Sequence, residues 1–364
     1  MTEKIEEYIE KLEKTHSLSL EEYEALLRER DRDAEELLKE KAVAVRKRIY
    51  GNKVFIRGLI EFSSYCKNDC YYCGIRASNK NADRYRLCEE EILDCVNEGY
   101  SLGFRTFVLQ SGEDTYFNDE RLCGIVRKIK EKHPDCAVTL SVGERTFESY
   151  KALKEAGADR YLLRHETASP EHYAKLHPAK QTFERRIQAL HDLRKAGFAV
   201  GAGFMVGSPY QTVENLARDL KFIEEFSPEM CGIGPFIPHK DTIFAGKSFD
   251  ESSRENESPF KAGSADLTCY LLSIIRLIKP NILLPATTAL GTVKADGREK
   301  GILSGANVVM PNLSPLGVRK KYSLYDGKIC LGEESAQCLE CLKRRVEKIG
   351  YQIVVDRGDI ETYQ

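Results

Sequence analysis

The stretch VFIRGLIEFSSYCKNDCYYCGIR, residues 54–76, joins an apolar run to three closely spaced cysteines. Its first nine residues are typical of a buried β-strand, because apolar, β-branched and aromatic side chains dominate them. Cys66, Cys70 and Cys73 follow directly, in a Cys-x3-Cys-x2-Cys spacing. Thiolates are soft ligands that suit zinc and iron–sulfur clusters. The stretch therefore predicts a metal centre at the end of a strand.

Two kinds of metal centre are compatible with three cysteines. Structural zinc usually takes four protein ligands, and no histidine lies near these cysteines in the sequence. Three thiolates on a four-iron cluster would leave one iron open, where a substrate or cofactor can bind. The iron–sulfur interpretation explains why there are three thiols and not four, and zinc remains the alternative.

Downstream of this stretch, short apolar runs alternate with longer amphipathic ones. The predicted strands are residues 54–62, 106–112, 137–143, 160–166, 199–207, 230–238, 282–289 and 306–312. Eight strands alternating with helices predict an α/β fold, a complete (β/α)8 TIM-type barrel. Nearly every strand ends in polar residues or glycine, as at Glu61, Glu113 and Glu166. An open sheet would use only one or two strand ends at its switch point, so this regularity favours the barrel.

The regions around the barrel pattern differ from it in composition. Residues 1–52 read as an N-terminal helical extension, and residues 53–312 as the barrel with a polar surface insertion at 246–265. Residues 313–364 form a tail with a second group of cysteines, Cys330, Cys338 and Cys341. Zinc would again need a distant ligand, since His239 is the last histidine. A labile iron–sulfur cluster is the favoured interpretation of this group.

Composition excludes several classes of protein. The chain has 364 residues, 42% hydrophobic and 31% charged, which is typical of a globular protein with a sizeable core. Its formal net charge of −2 gives no electrostatic footprint for nucleic acid. No apolar run reaches the roughly 18 residues of a membrane span, and the charged N-terminus is unlike a secretion signal. We therefore expect a cytoplasmic protein with no membrane partner.

A reducing compartment makes clustered cysteines metal ligands more often than disulfide partners. Six of the twelve cysteines form the two groups already described. The other six are expected to be small buried hydrophobic residues. They are Cys88, Cys95, Cys123, Cys136, Cys231 and Cys269.

The cysteine spacing, with Tyr72 before the last cysteine, resembles the signature of radical S-adenosylmethionine enzymes. Longer motifs resemble one family within that group, the HydE maturases of [FeFe]-hydrogenase. These motifs are VLQSGEDTYF, AVTLSVGE, AGADRYLLRHETASP, GAGFMVGSPYQT, GIGPFIPHKDT, PATTALGT and GANVVMPN. Ser111 stands where the usual Gly-Gly-Glu motif has its first glycine, a departure that fits this family. The resemblance covers roughly residues 53–345.

The resemblance implies a [4Fe-4S] cluster on Cys66, Cys70 and Cys73, with S-adenosyl-L-methionine on its open iron. It implies cleavage of that cofactor to a 5′-deoxyadenosyl radical, used in assembling the di-iron site of [FeFe]-hydrogenase. It also implies an auxiliary [2Fe-2S] or [4Fe-4S] cluster on the tail cysteines. The residues implied to bind S-adenosylmethionine are Tyr72, Gln110, Ser111, Gly112, Glu113, Ser141, Glu166, Arg186 and Met205.

A second set of residues is implied to line a substrate cavity inside the barrel. It consists of Arg57, Thr139, Arg160, Thr287, Thr288, Met310, Tyr322 and Tyr325. Arg57 lies in the middle of a strand, and a buried charge must be paired. It meets either an acidic residue such as Glu61 or a buried anion. The resemblance favours a small anionic substrate, such as an iron–cysteine complex, and implies the maturases HydG and HydF and a ferredoxin or flavodoxin reductant as partners.

Two other functions are compatible with the pattern. The chain resembles, less closely, radical enzymes of the biotin-synthase or methylornithine-synthase type, which act on organic substrates. From a different class, it could be an iron–sulfur scaffold or electron carrier. The many polar strand ends around one open cluster argue against a carrier, because a carrier needs no substrate site.

Overall fold

The structure is a computed structural model that describes residues 1–246, 263–329 and 336–362. Most of the predicted insertion, and Cys330, lie outside the described residues. The helices are α1 Glu3–Thr15, α2 Leu20–Arg28, α3 Arg32–Tyr50, α4 Glu89–Ser101, α5 Asp119–Lys132, α6 Phe147–Glu155, α7 Pro170–Leu176, α8 Phe183–Lys195, α9 Val213–Phe226, α10 Ala265–Ile278, α11 Thr288–Val293, α12 Gly297–Ile302, α13 Leu316–Arg319 and α14 Leu339–Lys348. The strands are β1 Lys53–Ile56, β2 Gly58–Ser63, β3 Thr106–Ser111, β4 Ala137–Ser141, β5 Arg160–Leu162, β6 Ala199–Ala202, β7 Met205–Val206, β8 Met230–Cys231, β9 Gly234–Pro235, β10 Val308–Val309 and β11 Gln352–Val354.

The strands pair in parallel, with helices between most consecutive strands. A six-stranded sheet has the order β2-β3-β4-β5-β6-β8, a three-stranded sheet has the order β10-β1-β11, and β7 pairs with β9. The strands of the large sheet are almost wholly buried, as expected where helices cover a parallel sheet. The chain therefore has an α/β fold with a parallel sheet, as predicted from the alternation of apolar and amphipathic runs.

Several predicted strands are less regular than the sequence suggested. Those at 199–207 and 230–238 each divide into two short strands, β6 with β7 and β8 with β9. The first is interrupted at Arg57, so that β1 pairs with β10 while β2 pairs with β3. The seventh, 282–289, makes only single parallel bridges, from Leu283 to Met230 and from Pro285 to Val308. It ends early because α11 begins at Thr288. These bridges place residues 283–285 between β8 and β10.

The tail adds a strand that we did not predict. In β11, Gln352 and Ile353 pair in parallel with Lys53 and Val54 of β1. The strand has three residues and lies at the edge of its sheet. The apolar run after Tyr351 was the available signal, but a run this short carries little periodicity.

The N-terminal helices pack on two outer helices, α9 and α10. Helix α10 is buried on nearly all sides because α3 covers its outer face, which explains its almost wholly apolar sequence. The Tyr270 hydroxyl of α10 donates to the Leu26 carbonyl (2.8 Å), and the Tyr23 hydroxyl donates to Glu224 of α9 (2.8 Å). The extension is therefore part of the packed structure.

Helix α8 shows how local sequence places a functional side chain. The Thr182 hydroxyl accepts a hydrogen bond from the Arg185 N–H and begins the helix. Past its end, Gly197 adopts a φ of 89°, a conformation that favours glycine. Between these two signals, Arg186 lies on the first turn and on the buried face.

The scattered cysteines divide by burial. Cys95, Cys123, Cys136 and Cys231 are buried, as predicted, and Cys269 is half-buried. The prediction is wrong for Cys88, which is exposed at the N-cap of α4, because that helix begins at the surface. Among the described residues, no helix is both long and apolar enough to span a membrane.

Candidate active site

The cluster loop, which we define as residues 64–76, follows β2 and carries the three predicted ligands. Burial raises the pKa of all three thiols, that of Cys70 to about 12. For Cys73 the next causes are the charges of Cys70 and Cys66, so the three sulfurs lie close enough to interact. Soft, mutually close donors with this little access to water fit a metal cluster, whose positive charge favours the thiolate form.

A single zinc ion and a four-iron cluster place different demands on three thiols. Tetrahedral zinc with Zn–S bonds of about 2.3 Å would hold its sulfurs about 3.8 Å apart. Within the described ranges, no three His, Cys, Asp or Glu side chains are grouped to hold one metal ion. In an iron–sulfur cluster each thiolate ligates a different iron, so the sulfurs need not converge on one point. The donor set fits the cluster that the sequence predicted.

Close backbone approaches hold the cluster loop against its neighbours. A Cβ atom on Gly112 would lie 2.3 Å from the Tyr65 carbonyl oxygen and 2.7 Å from the Cys66 Cβ. One on Gly74 would lie 2.2 Å from the Ser323 carbonyl oxygen. Both positions therefore require glycine, which was visible in the sequence only as Gly112 following a strand.

Tyr72 belongs to an aromatic group behind the cluster loop. Its hydroxyl lies 3.2 Å from Nε2 of His177, and His177 Nδ1 donates to the Tyr173 carbonyl (3.0 Å). Burial lowers the pKa of His177 to about 3, so the imidazole is neutral and Nε2 accepts from Tyr72. His177 was not among the predicted site residues, because only the folded chain brings it beside Tyr72.

The end of β3 places three predicted cofactor residues around the cluster loop. Ser111 Oγ donates to the Gly112 carbonyl (2.7 Å), and Gln110 Nε2 donates to the Tyr322 hydroxyl (3.4 Å). The Glu113 carboxylate accepts from the Glu144 N–H (2.8 Å) and pairs with Lys67 of the cluster loop (3.2 Å). The backbone of this loop is what faces Cys66.

Glu166 and Arg186 are each paired with a charged side chain that follows a strand. Arg186 donates to Glu144 (2.6 Å) and to the Arg164 carbonyl (2.6 Å), while Glu166 pairs with Arg164 (3.1 Å). Burial opposes the charge of Arg186, but Tyr173 and Glu144 outweigh it and raise its pKa. Glu166 adopts a φ of 67°, uncommon for a residue other than glycine and frequent at functional sites. The four side chains form a fixed array of charges.

The last two predicted cofactor residues lie on strands of different sheets. Ser141 ends β4 and is half-buried. Met205 in β7 is buried and packs in an apolar cluster with Leu176 and Phe236, against which Tyr72 also lies. Packing in this apolar cluster therefore accounts for the position of Met205 by itself.

Arg57 is buried, and no acidic side chain among the described residues pairs with it. Its Nη1 lies 2.7 Å from the Met230 sulfur, and among the described residues Nε and Nη2 have no hydrogen-bond partner. Burial, and then the nearby Arg160, lower its pKa well below the usual value. The alternative that Arg57 pairs with Glu61 is wrong, because Glu61 is engaged elsewhere.

Arg160 is neutralised by the chain itself. Its guanidinium donates to Asp359 (2.5 Å), to the Gly358 carbonyl (3.2 Å) and to the Thr106 hydroxyl (3.0 Å). Asp359 belongs to the C-terminal segment, which the sequence analysis did not connect with this strand. Arg160, which the resemblance places in the substrate cavity, thus donates to groups of the chain itself.

The remaining predicted cavity residues differ in their hydrogen bonding and packing. The hydroxyls of Thr139 and Thr287 are buried and have no hydrogen-bond partner in the described part of the chain. Thr288 begins α11 and accepts from Arg298 (3.3 Å). Met310 is half-buried and packs against a cluster that includes Met230.

The strap, which we define as residues 322–329, crosses the cluster side of the fold. The Lys328 ammonium contacts the buried Glu61 carboxylate and donates to the Tyr322 carbonyl (3.0 Å). The strap also accepts from the Gly74 N–H at Leu324 (2.9 Å). Glu61 accepts a further bond from Asn312 (2.9 Å). Tyr322 and Tyr325 of the strap were predicted to line the cavity. Lys328 was not predicted, because no local sequence pattern identifies Glu61 as its partner.

The two tyrosines of the strap, Tyr322 and Tyr325, both belong to the predicted substrate cavity. Tyr322 is buried, and burial raises the pKa of the half-buried Tyr325 to about 12. Outside them lies a cavity of about 410 Å³. Its lining residues are Arg319, Lys320, Tyr322, Ser323, Gly327, Lys328 and Ile329.

The second cysteine group is only partly described. Cys338 and Cys341 are joined by a disulfide at the start of α14, with Cα atoms 5.4 Å apart, and Cys330 lies outside the described residues. The auxiliary cluster stays a prediction.

Comparison with known proteins adds the family. Residues 60–223 match the model of the radical SAM superfamily. The chain is 43% identical over 344 residues to the [FeFe] hydrogenase maturase subunit HydE of Thermotoga maritima, covering 94% of each chain. It is 28% identical to the 3-methylornithine synthase of Methanosarcina acetivorans, over 96% of this chain and 95% of the other.

Solved structures agree on the fold. The crystal structure of methylornithine synthase (PylB) superposes with a TM-score of 0.78 at 25% identity, covering 95% of this chain and 97% of that one. The crystal structure of the maturase HydG gives a TM-score of 0.78 at 23% identity, covering 98% and 77%. The identity to HydE extends over nearly the whole of both chains, and the superfamily match at 60–223 includes the cysteine loop. The chain therefore belongs to the radical SAM superfamily of enzymes and, within it, to the family of the maturase HydE.

Proposed function

We propose that this enzyme acts in maturation of [FeFe]-hydrogenase, using S-adenosylmethionine and a [4Fe-4S] cluster. The observation that carries the proposal is 43% identity to HydE over 94% of both chains. The site supports it, because three half-buried thiols follow β2 and lie beside a fixed array of charged side chains. When bound, the cluster and S-adenosylmethionine supply a 5′-deoxyadenosyl radical.

The chain's own residues have separable roles in this proposal. Cys66, Cys70 and Cys73 hold the cluster. The cofactor residues are Tyr72, Gln110, Ser111, Gly112, Glu113, Ser141, Glu166, Arg186 and Met205. Arg186 is preoriented by Glu144 to offer remaining donors to a carboxylate, since a guanidinium carries five N–H groups. The strap covers the site and excludes water.

We propose that the sheet closes into a complete (β/α)8 barrel. The pairing of β1 with β10, and the single bridges at Leu283 and Pro285, support closure between β8 and β1. The division into an extension (1–52), a barrel (53–312) and a tail (313–364) follows from the same architecture. A closed barrel gathers its strand ends on one face, which suits the site.

The substrate we propose is small and anionic. Arg57 supports this, because its buried guanidinium has donors without partners among the described residues, as do the hydroxyls of Thr139 and Thr287. Thr288, Met310, Tyr322 and Tyr325 would complete the cavity. Arg160, whose charge is balanced by Asp359, would line the cavity without pairing with the substrate. The proposed partners are HydG, HydF and a ferredoxin or flavodoxin reductant, in the cytoplasm.

A second candidate function is a methylornithine-synthase-like reaction on an organic amino acid. The 28% identity to that enzyme over nearly the whole chain, and the superposition on PylB, favour keeping it. The two candidates differ in whether hydrogenase maturation depends on the protein.

The test is made anaerobically on reconstituted protein with dithionite and S-adenosylmethionine. We expect the wild type to form 5′-deoxyadenosine and Cys70→Ser to form none, whereas the matched control Cys88→Ser, at an exposed helix start, behaves as the wild type. In a hydrogenase maturation assay lacking HydE, the wild type should restore activity. Cleavage without restoration would favour the organic substrate, and a four-iron protein that cleaves nothing would favour a scaffold or carrier.

A further inference from the structure

An ion pair beside the cluster loop has no part in the function proposed so far. Arg86 donates to Asp114 with two nitrogens, Nε to Oδ2 (2.7 Å) and Nη2 to Oδ1 (2.9 Å). The same carboxylate accepts from the Ser63 hydroxyl (2.6 Å) and from the Tyr116 N–H (3.0 Å). Burial opposes the charge of Asp114, but Arg86 and Ser63 outweigh it and lower its pKa. The pair is bidentate and strong.

Two aromatic rings enclose the guanidinium. The carbon of the Arg86 guanidinium lies 3.8 Å from the Tyr65 ring centre and 4.9 Å from that of Tyr116. Tyr65 immediately precedes Cys66, while Tyr116 follows Asp114. A cation that lies over the face of an aromatic ring is attracted to that ring. Arg86 thus joins the loop that carries the first thiol to the loop that follows β3.

The backbones of these two loops touch as well. The Gly112 N–H donates to the Ser63 carbonyl (3.2 Å), and the Lys67 N–H donates to the Glu113 carbonyl (3.0 Å). The Tyr65 N–H donates to Ser63 Oγ, the hydroxyl that Asp114 holds (3.2 Å). Because Gly112 leaves no room for a Cβ, a rotation of either loop must displace the other.

We infer that Arg86 and Asp114 form a positioning clamp, which sets the backbone of residues 111–113 relative to Cys66 and thereby the affinity for S-adenosylmethionine. This inference rests on the proposed function, in which that backbone holds the cofactor. Neither residue is among those that we propose to bind the cofactor or the cluster. The clamp acts through Ser63, Tyr65 and Gly112.

The test compares Arg86→Met, Asp114→Asn and the double variant with a matched control. The control is Arg121→Met, because Arg121 also lies over the Tyr116 ring (4.2 Å) and donates to the Tyr116 carbonyl (2.8 Å). Affinity is measured by equilibrium dialysis of reconstituted protein with labelled S-adenosylmethionine, alongside iron content and the KM and kcat of cofactor cleavage.

We expect each single clamp variant to weaken S-adenosylmethionine binding about tenfold, as for loss of one charged hydrogen-bonded pair worth about 1.4 kcal/mol. The KM should rise by the same factor, with kcat at saturation and iron content near those of the wild type. The double variant should be no weaker than either single variant, since one contact is lost in all three. Arg86→Lys should recover part of the affinity, because lysine keeps the charge but not the fork.

Wild-type affinity in Arg86→Met, or an equal loss in Arg121→Met, would overturn the clamp while leaving the proposed function intact. Loss of iron with unchanged affinity per cluster would also overturn it, since the pair would then serve only the cluster loop. A wild-type protein that binds no S-adenosylmethionine would overturn both the clamp and the proposed function.

Discussion

Replacing Lys328 with methionine should release the strap from the face of the sheet. The ammonium of Lys328 contacts the carboxylate of Glu61, and their side chains are 9% and 1% exposed. Methionine preserves most of the apolar stem but leaves a buried carboxylate without its cation. Removing one partner of a buried pair costs about 3–5 kcal/mol. Because Glu61 keeps its hydrogen bond from Asn312 (2.9 Å), we expect a cost of about 3 kcal/mol.

Hydrogen exchange measured by mass spectrometry reports this cost locally. A loss of about 3 kcal/mol in the free energy of opening lowers protection about 100-fold, since each 1.4 kcal/mol is a factor of ten. The effect should be confined to peptides spanning residues 320–329 and the end of β2. The variant Glu61→Gln/Lys328→Met should recover much of the protection, because it buries no unpaired charge.

The matched control is Lys321→Met, at the edge of the strap. Its ammonium lies 3.5 Å from Asp83, and both side chains are well exposed, so the pair should be worth less than about 1 kcal/mol. Unchanged exchange in Lys328→Met, or an equal change in Lys321→Met, would refute the reasoning that burial gives the Glu61 pair its strength.

Three further predictions concern stability and the site. Since burial lowers the pKa of His177 to about 3, the folded state stays neutral while the unfolded chain takes up a proton below about pH 6.5. The free energy of unfolding should therefore fall by about 2 kcal/mol between pH 6.5 and 5 because of this residue. In His177→Asn, the free energy of unfolding measured with urea should depend less steeply on pH over this range. Asp359→Asn should destabilise by about 1–2 kcal/mol, since Arg160 keeps its backbone acceptors; a melting temperature equal to that of the wild type would contradict this. Gly112→Ala should weaken S-adenosylmethionine binding at least tenfold, because its Cβ would meet a backbone oxygen at 2.3 Å; undiminished binding in the dialysis assay would show that the loop can yield.

Much of the fold could be predicted because its signals are local. The alternation of apolar and amphipathic runs predicted a parallel α/β fold, and the ends of β2, β3 and β4 lie within two residues of the predicted ends. The predictions were weaker where tertiary context decides. Arg57 interrupts the first strand, α11 shortens the seventh, and β11 pairs with β1 from nearly 300 residues away.

The candidate site divides in the same way. The spacing of Cys66, Cys70 and Cys73 is a local property that predicts soft-metal ligation, and the identity to HydE agrees with the family that it resembled. The apolar run at 54–62 also predicted that these thiols follow a strand. Neither pattern could show which side chains surround them.

By itself, then, the sequence determined the kind of fold, the position of the cysteine loop and the family. Only the tertiary structure decided the partners of the charged residues. Arg186 meets Glu144 across 42 residues, Arg160 meets Asp359 across 199, and Lys328 meets Glu61 across 267. The physical reason is that periodicity and ligand spacing act within a few turns of chain. The partner of a buried charge depends on which distant segments the packed core brings beside it.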